Sequence, residues 1–428
     1  MGNRHWGWWT ARLNLGGLVT AVAGINWAAA AFFNRIVLQE IFGAVPTLGT
    51  QVVVMAAITL VQVIINVFGI RLVAFLNELS VWVHVIGVVA IALLLFAFAE
   101  FRNGPGFPFR IEPGDPAIAA NPPFWGGLGI FGAFLLGLLQ AQWTYTGYDA
   151  SAHTAEETIS ARRGSANGIF MSVAASAVVG YILLLAITYA LPPIADTIAA
   201  DASGTPAVAY TLIENLEGLG VFLSFVIVVA MMLCGLLAIA STGRIIFAFA
   251  RDGGVPFSHV FSHINKTQRT PDVALCTAGL LAVIITVYAY VSARGDAAAA
   301  SVTIAIITGM STALLYWAYG LPILLGLRAD EWRSRRAWTF GGRSRILAVV
   351  SILWIVVISV LFLWRPDNEF AFRGTAGFLI LLVVYYALWA ARSFKGPQAM
   401  RSEELLARER KVGETIHGDV APGAVSAD

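Results

Sequence analysis

The sequence predicts an all-α integral membrane protein with about ten transmembrane helices, and three observations carry that prediction. Of 428 residues, 58% are apolar and only 12% charged, about half the charged share of a soluble domain, which is ~25%. With a mean hydropathy of +0.77, the chain has too little polar surface for a water-soluble globule, whereas lipid accepts apolar side chains facing outward. Finally, ten stretches of at least eighteen residues contain no Asp, Glu, Lys or Arg. They lack the period-two alternation of barrel strands, and within lipid only helices and closed barrels satisfy the backbone, so helices are expected.

The runs are 13–34, 41–70, 79–99, 116–148, 164–195, 218–243, 273–293, 297–327, 346–364 and 374–391. Each is long enough for a span, since about 20 residues at 1.5 Å per residue cross the hydrocarbon core. The first follows only Arg4 and Arg12 as a basic flank, is about twice the length of a signal-peptide core, and precedes many similar runs, so it is not a cleaved leader. The fourth and fifth exceed one span and include loop at Pro122-Pro123 and Pro192-Pro193. The sixth ends in Ala240-Ser241-Thr242-Gly243-Arg244, and Arg251-Asp252-Gly253-Gly254-Val255-Pro256 reads as a charged helix end with a glycine and proline stop. Residues 1–12 form a cytoplasmic amino-terminal segment, 13–394 the transmembrane domain, and 395–428 a solvated, disordered cytoplasmic tail, with a short helix around Ser402–Lys411 as one option.

An even number of spans places both termini on one side. That side collects 21 of the 27 Lys and Arg, the other only Arg35, Arg102, Arg110, Arg294, Arg365 and Arg373. By the positive-inside bias, both ends are cytoplasmic in a multi-pass protein of the cell membrane. The basic loop Arg328–Arg345 is either a plain topology signal or a contact with anionic inner-leaflet lipid. Tryptophans 6, 8, 9, 125 and 364 fall at run edges and read as an interfacial belt. Cys234 and Cys276 lie in apolar runs and read as small buried hydrophobes, not as a disulfide or a zinc site. A net charge of +2 argues against nucleic acid as a partner, leaving membrane lipid. With no HExxH, GxSxG or Walker loop, neither an enzyme nor a cofactor is expected.

Three places depart from plain spans. The fourth run ends Gln140-Ala-Gln-Trp-Thr-Tyr-Thr-Gly-Tyr-Asp149. A helix unwound between Trp143 and Gly147 would put Asp149 and His153 on one face of its second half, before Glu156-Glu157, and unwound backbone at depth is tolerated only where it lines a cavity. The competing reading ends the span at Tyr148 and makes Asp149 the N-cap of a cytoplasmic helix. His84 is the only histidine within the charge-free runs, and an ionisable group there suits a proton-carrying role. It also lies only about five residues inside the cytoplasmic edge, where a structural histidine fits equally. Ser241 and Thr242 suit close helix packing, with ion or substrate contact as the alternative.

In order along the chain, three segments resemble the amino acid–polyamine–organocation permeases, in particular the bacterial branch that includes γ-aminobutyrate and choline carriers. Tyr145–Glu157 resembles that family's broken sixth helix and its following acidic pair; Ser241–Pro256 is similar to the end of its eighth; Asn66 through Asn77 to His84 resembles its fourth-to-fifth helix passage. The resemblance implies a leucine-transporter-like inverted-repeat fold. It also implies an aromatic gate at Trp143, substrate contact along Thr144, Tyr145, Thr146 and Gly147, and an acidic position at Asp149. His84 matches a position where several relatives carry a coupling lysine, with Ser241 or Thr242 nearby, so protons are the implied coupling ion. The segment His5–Asn14 resembles the lead into the family's third helix, so its helices one and two have no counterpart here. Met1 is then either a mis-called start or the start of a truncated permease. The resulting expectation is a secondary active transporter moving an amino acid or related amine by alternating access with proton symport. The alternative is a transport-inactive remnant or accessory membrane protein.

Overall fold

Where a helix lies in this bundle follows from its small and polar residues. The computed structural model describes residues 4–109, 129–155, 161–328, 341–363, 369–394 and 396. Helix α1 (Arg4–Phe33), extended by a π-helical segment Asn34–Ile41, is rich in alanine and glycine and runs through the middle. Ala23, Ala29 and Ala30 are fully buried there. A Cβ on Gly17 would lie 2.6 Å from Leu315 Cγ, so the bare glycine lets two backbones approach, and Ser311 Oγ donates to Gly17 O at 2.6 Å.

The remaining elements follow in chain order: α2 (Leu48–Phe68), α3 (Ile70–Phe98), α4 (Gly129–Thr144), α5 (Ala150–His153), α6 (Ala161–Tyr189), α7 (Ile194–Ala202), α8 (Ala207–Arg251), α9 (Ser258–Phe261), α10 (Asp272–Ser292), α11 (Ala297–Arg328), α12 (Ser344–Leu363) and α13 (Glu369–Tyr385), the last continuing through a π-helical turn to Ser393. No strand occurs among the described residues, and nine helices among them are long and apolar enough to cross a membrane. The fourth charge-free run is the exception. Its helical part, α4, has sixteen residues, and 116–128 lie outside the described residues. Helix α1 packs against α11, α8, α2 and α10, whereas α3, α6 and α12 turn broad apolar faces outward, among them Phe75, Trp82, Tyr181 and Trp354.

Side-chain amides join the inner helices. Asn26 is fully buried and donates to Thr59 Oγ1 (2.9 Å) and Gln62 Oε1 (2.7 Å). Gln62 returns a bond to Asn26 Oδ1 and also donates to Met232 O, while Asn66 donates to Leu236 O. This ladder ties α1, α2 and α8 together with the polar atoms satisfied, as lipid demands.

Four sequence-based expectations change. The run beginning at 13 sits in a helix that already starts at Arg4, because the Arg12 charge is not exposed at a membrane edge. Its guanidinium lies 4.8 Å from the Phe249 ring, 5.0 Å from Tyr385 and 5.5 Å from Trp8, and donates to Gly254 O and Tyr385 Oη. Aromatic faces and a carbonyl replace water around the cation. Trp8 is not a belt residue: it is fully buried against Tyr385 and Tyr386. Trp6 is 43% exposed, in keeping with a belt position, while 125 and 364 lie outside the described residues. Cys234 and Cys276 are both exposed, not buried. Also outside the described residues are Glu156-Glu157, most of the basic loop 329–340, and the tail apart from 396. The third run likewise starts earlier than its charges suggest, since α3 carries Arg71 and Glu78 within the helix.

Helix α8 contains a break of its own. Glu217 has φ 47 and splits it into 207–216 and 218–251. The first piece packs over the end of α3, where Asn215 accepts from Phe101 N and donates to Ala190 O. The chain therefore turns at that membrane edge before crossing back toward Arg251.

Candidate functional site

The polar stretch after Gln140 forms a break. Helix α4 stops at Thr144 and α5 begins at Ala150, and between them Gly147 takes φ +80, a left-handed conformation that a side chain would strain. The hydroxyls of Thr144 and Thr146 donate to Gln140 O (3.0 Å) and Trp143 O (2.8 Å), supplying bonds to carbonyls around the end of α4. Asp149 occupies the N-cap position of α5 yet makes no side-chain cap, which decides against the simple N-cap reading.

The Asp149 carboxylate turns inward instead. It is buried and accepts from Asn14 Nδ2 on α1 (2.9 Å) and from Tyr319 Oη on α11 (2.8 Å). His153 Nε2, one turn along α5, lies 3.0 Å from Oδ2. Tyr319 also accepts from Gly147 N at 3.3 Å, and its ring packs 4.6 Å from that of Tyr148. One tyrosine thus holds both the unwound backbone and the carboxylate. Above the break, Gln142 Oε1 accepts from Tyr316 Oη (2.5 Å) and Trp354 Nε1 (3.2 Å), fixing α4 to α11 and α12.

Asp149 and His153 border a cavity of about 280 Å³ between α1, α4, α5, α8 and α11. Trp143, Thr144, Thr146, Gly147, Asp149 and Ser241 line it together. Tyr145 and Thr242 do not: Tyr145 N bonds Ala141 O as part of the helix end, and Thr242 is fully buried with its hydroxyl on Ala238 O. His84 lies elsewhere, exposed on α3, its Nδ1 2.7 Å from Ser80 O. The cavity carries one carboxylate, hydroxyls and unwound backbone against apolar walls from Leu18, Ile25 and Leu315. Such a mixture suits a small ligand bearing an ammonium and an apolar part.

A wider cavity of about 900 Å³ lies beyond Trp143, toward Phe32, Pro206 and Val302. Trp143, Ile25 and Cys234 border both spaces, so the indole stands between a broad vestibule and the smaller central chamber. Cys234 is exposed because it faces this path.

Sequence reading reached the break and its carboxylate but missed Asn14, Tyr316 and Tyr319. Asn14 offered a faint signal, as a polar residue inside the first apolar run. Tyr319 offered none, since its partners are 170 residues away.

The chain matches the family described as amino acid permease over residues 2–389. It is 27% identical over 410 residues to the amino-acid permease BAT1 of Arabidopsis thaliana, covering 91% of this chain and 76% of that protein. It is 26% identical to an uncharacterized amino-acid permease of Schizosaccharomyces pombe, covering 93% of this chain and 72% of that one. To amino-acid permease 2 of Neurospora crassa it is 25% identical, covering 91% and 70%. These relatives are plant and fungal, so they support the family without selecting a bacterial branch.

Proposed function

The chain belongs to the amino acid permease family, and from that premise we propose that it carries an amino acid or related amine across the cell membrane by alternating access. The observation that supports this most is the central cavity, where the unwound backbone at Gly147, the Asp149 carboxylate and the Trp143 indole meet. Asp149 is the group for the substrate ammonium: its hydrogen bonds come from a neutral amide and a hydroxyl, with the His153 imidazole 3.0 Å away, which leaves acceptor capacity on the carboxylate. Trp143 closes the chamber toward the vestibule. The placement among γ-aminobutyrate and choline carriers rests on sequence segments alone, and so do cytoplasmic termini, which rest on the distribution of basic residues.

Uptake of a labelled panel of amino acids and amines into proteoliposomes holding the full chain tests this reading. Accumulation of at least one, competed by its unlabelled form, supports it; no uptake and no binding across the panel favours a membrane protein that transports nothing. Proton coupling through His84 is proposed from the resemblance of its segment to the position where several relatives carry a coupling lysine. His84→Ala should abolish uptake driven by a pH gradient while leaving exchange measurable, and unchanged gradient-driven uptake would remove His84 from the mechanism.

A further inference from the structure

A third cavity, of about 340 Å³, lies on the amino-terminal face of the bundle, between the ends of α2, α5 and α8 and the segment leading into α10. Asn66, Ala152, Arg244, Arg269 and Thr270 line it, and Arg269 is exposed on that face. Among the described residues, His153 is the one side chain bordering both this cavity and the central chamber.

We propose that His153 is the inner gate of the pathway, the side chain whose ring separates the central chamber from the space open to the amino-terminal face. The proposal rests on reading the central chamber as the substrate site. Across from the ring, α8 contributes Ala238 and Ser241 to the chamber and Ala240 to the inner cavity. Larger α8 side chains border one space each, Leu237 the chamber and Arg244 and Phe247 the inner cavity, whereas the imidazole borders both. The ring is half of a latch: Nε2 stands 3.0 Å from Asp149 Oδ2, close enough for attraction, yet its alignment does not make a hydrogen bond. Asp149 is itself held by Asn14 and Tyr319, so the anchor stays in place when the ring turns away. Turning the imidazole aside gives up its contact with Asp149 and joins the two spaces. With Trp143 at the opposite end, the central chamber has a single aromatic ring at each exit.

Cys234 supplies a native reporter, because it faces the chamber and the vestibule. In the full chain carrying Cys276→Ser, a membrane-impermeant methanethiosulfonate reagent is applied separately to each face of vesicles with no substrate present. With His153 in place, labelling of Cys234 from the amino-terminal face should be slow. His153→Ala should raise it roughly tenfold or more, equivalent to ~1.4 kcal/mol at the barrier, while labelling from the vestibule face stays unchanged and reports an intact fold. His153→Asn, which keeps a polar group but removes most of the ring, should give an intermediate rate and carries the test if the alanine variant does not insert. Unchanged access from the amino-terminal face in the variants would overturn the gate. Because the readout is chemical access, a protein that fails to transport still reports on His153, and a protein that transports with an unchanged labelling pattern rejects the gate alone.

Discussion

Tyr319 does at one position what two residues would otherwise have to do. Its hydroxyl donates to Asp149 Oδ1 at 2.8 Å and accepts from Gly147 N at 3.3 Å, so it fixes both the carboxylate and the unwound turn. Tyr319→Phe keeps the ring contact with Tyr148 but leaves both groups without that partner. A buried acceptor left unpaired costs about 1–3 kcal/mol. Uptake by this variant should fall by roughly tenfold or more, with chromatographic behaviour in detergent unchanged; uptake equal to that of the parent protein would show the hydroxyl to be idle. At this scale the sequence was partly legible. Asp149 stood out because a carboxylate ending a glycine-interrupted polar stretch has no business in a plain span. Tyr319 was silent, since a tyrosine inside an apolar run is ordinary and its partners become neighbours only once α5 and α11 pack.

Among the helices, hydropathy located the spans because lipid acts on every residue of a crossing segment, and a sum over twenty residues survives local exceptions. Boundaries were less legible. Charge marks the edge of a span only where water must meet it, and Arg12 is surrounded by Trp8, Phe249 and Tyr385 within the bundle. The amide ladder of α1, α2 and α8 was not read at all, although Asn26, Gln62 and Asn66 are visible in their runs, because pairing needs the helix faces to be known. Gly235 is its hidden requirement. A Cβ there would lie 2.2 Å from Asn26 Oδ1 and 2.5 Å from Gln62 Nε2, and neither amide can retreat without losing its partners. Gly235→Ala should therefore destabilise the protein by about 1–3 kcal/mol, the usual cost of overpacking a filled core. A lowered midpoint of thermal unfolding in detergent checks this, and an unchanged midpoint would mean the ladder yields more easily than its bonds suggest.

Across the whole molecule, the side-chain bonds among the described residues fall into two groups. The ladder braces α1, α2 and α8 through Asn26, Gln62 and Asn66, whereas α4 and α5 are held by Gln142, Gly147 and Asp149 reaching α11, α12 and Asn14, and by Ser165 of α6 donating to Ser151 O. A carrier that alternates needs this contrast, since a ligand shifts the balance between states only by binding them unequally. Trp143 is where the inequality should be greatest. It borders both the vestibule of about 900 Å³ and the chamber of about 280 Å³, so removing the indole merges a tight space with a loose one. In the parent protein, a saturating substrate identified by uptake should shield Cys234 from an impermeant thiol reagent applied at the vestibule. In Trp143→Ala the same substrate, at the same concentration, should shield it at least about tenfold less, because it leaves the merged space faster and its occlusion loses an aromatic contact worth ~1 kcal/mol or more. Labelling without substrate should also quicken, as the path to the thiol widens. Protection and uptake both at parental levels would show that the indole fills space between two cavities that some other side chain separates.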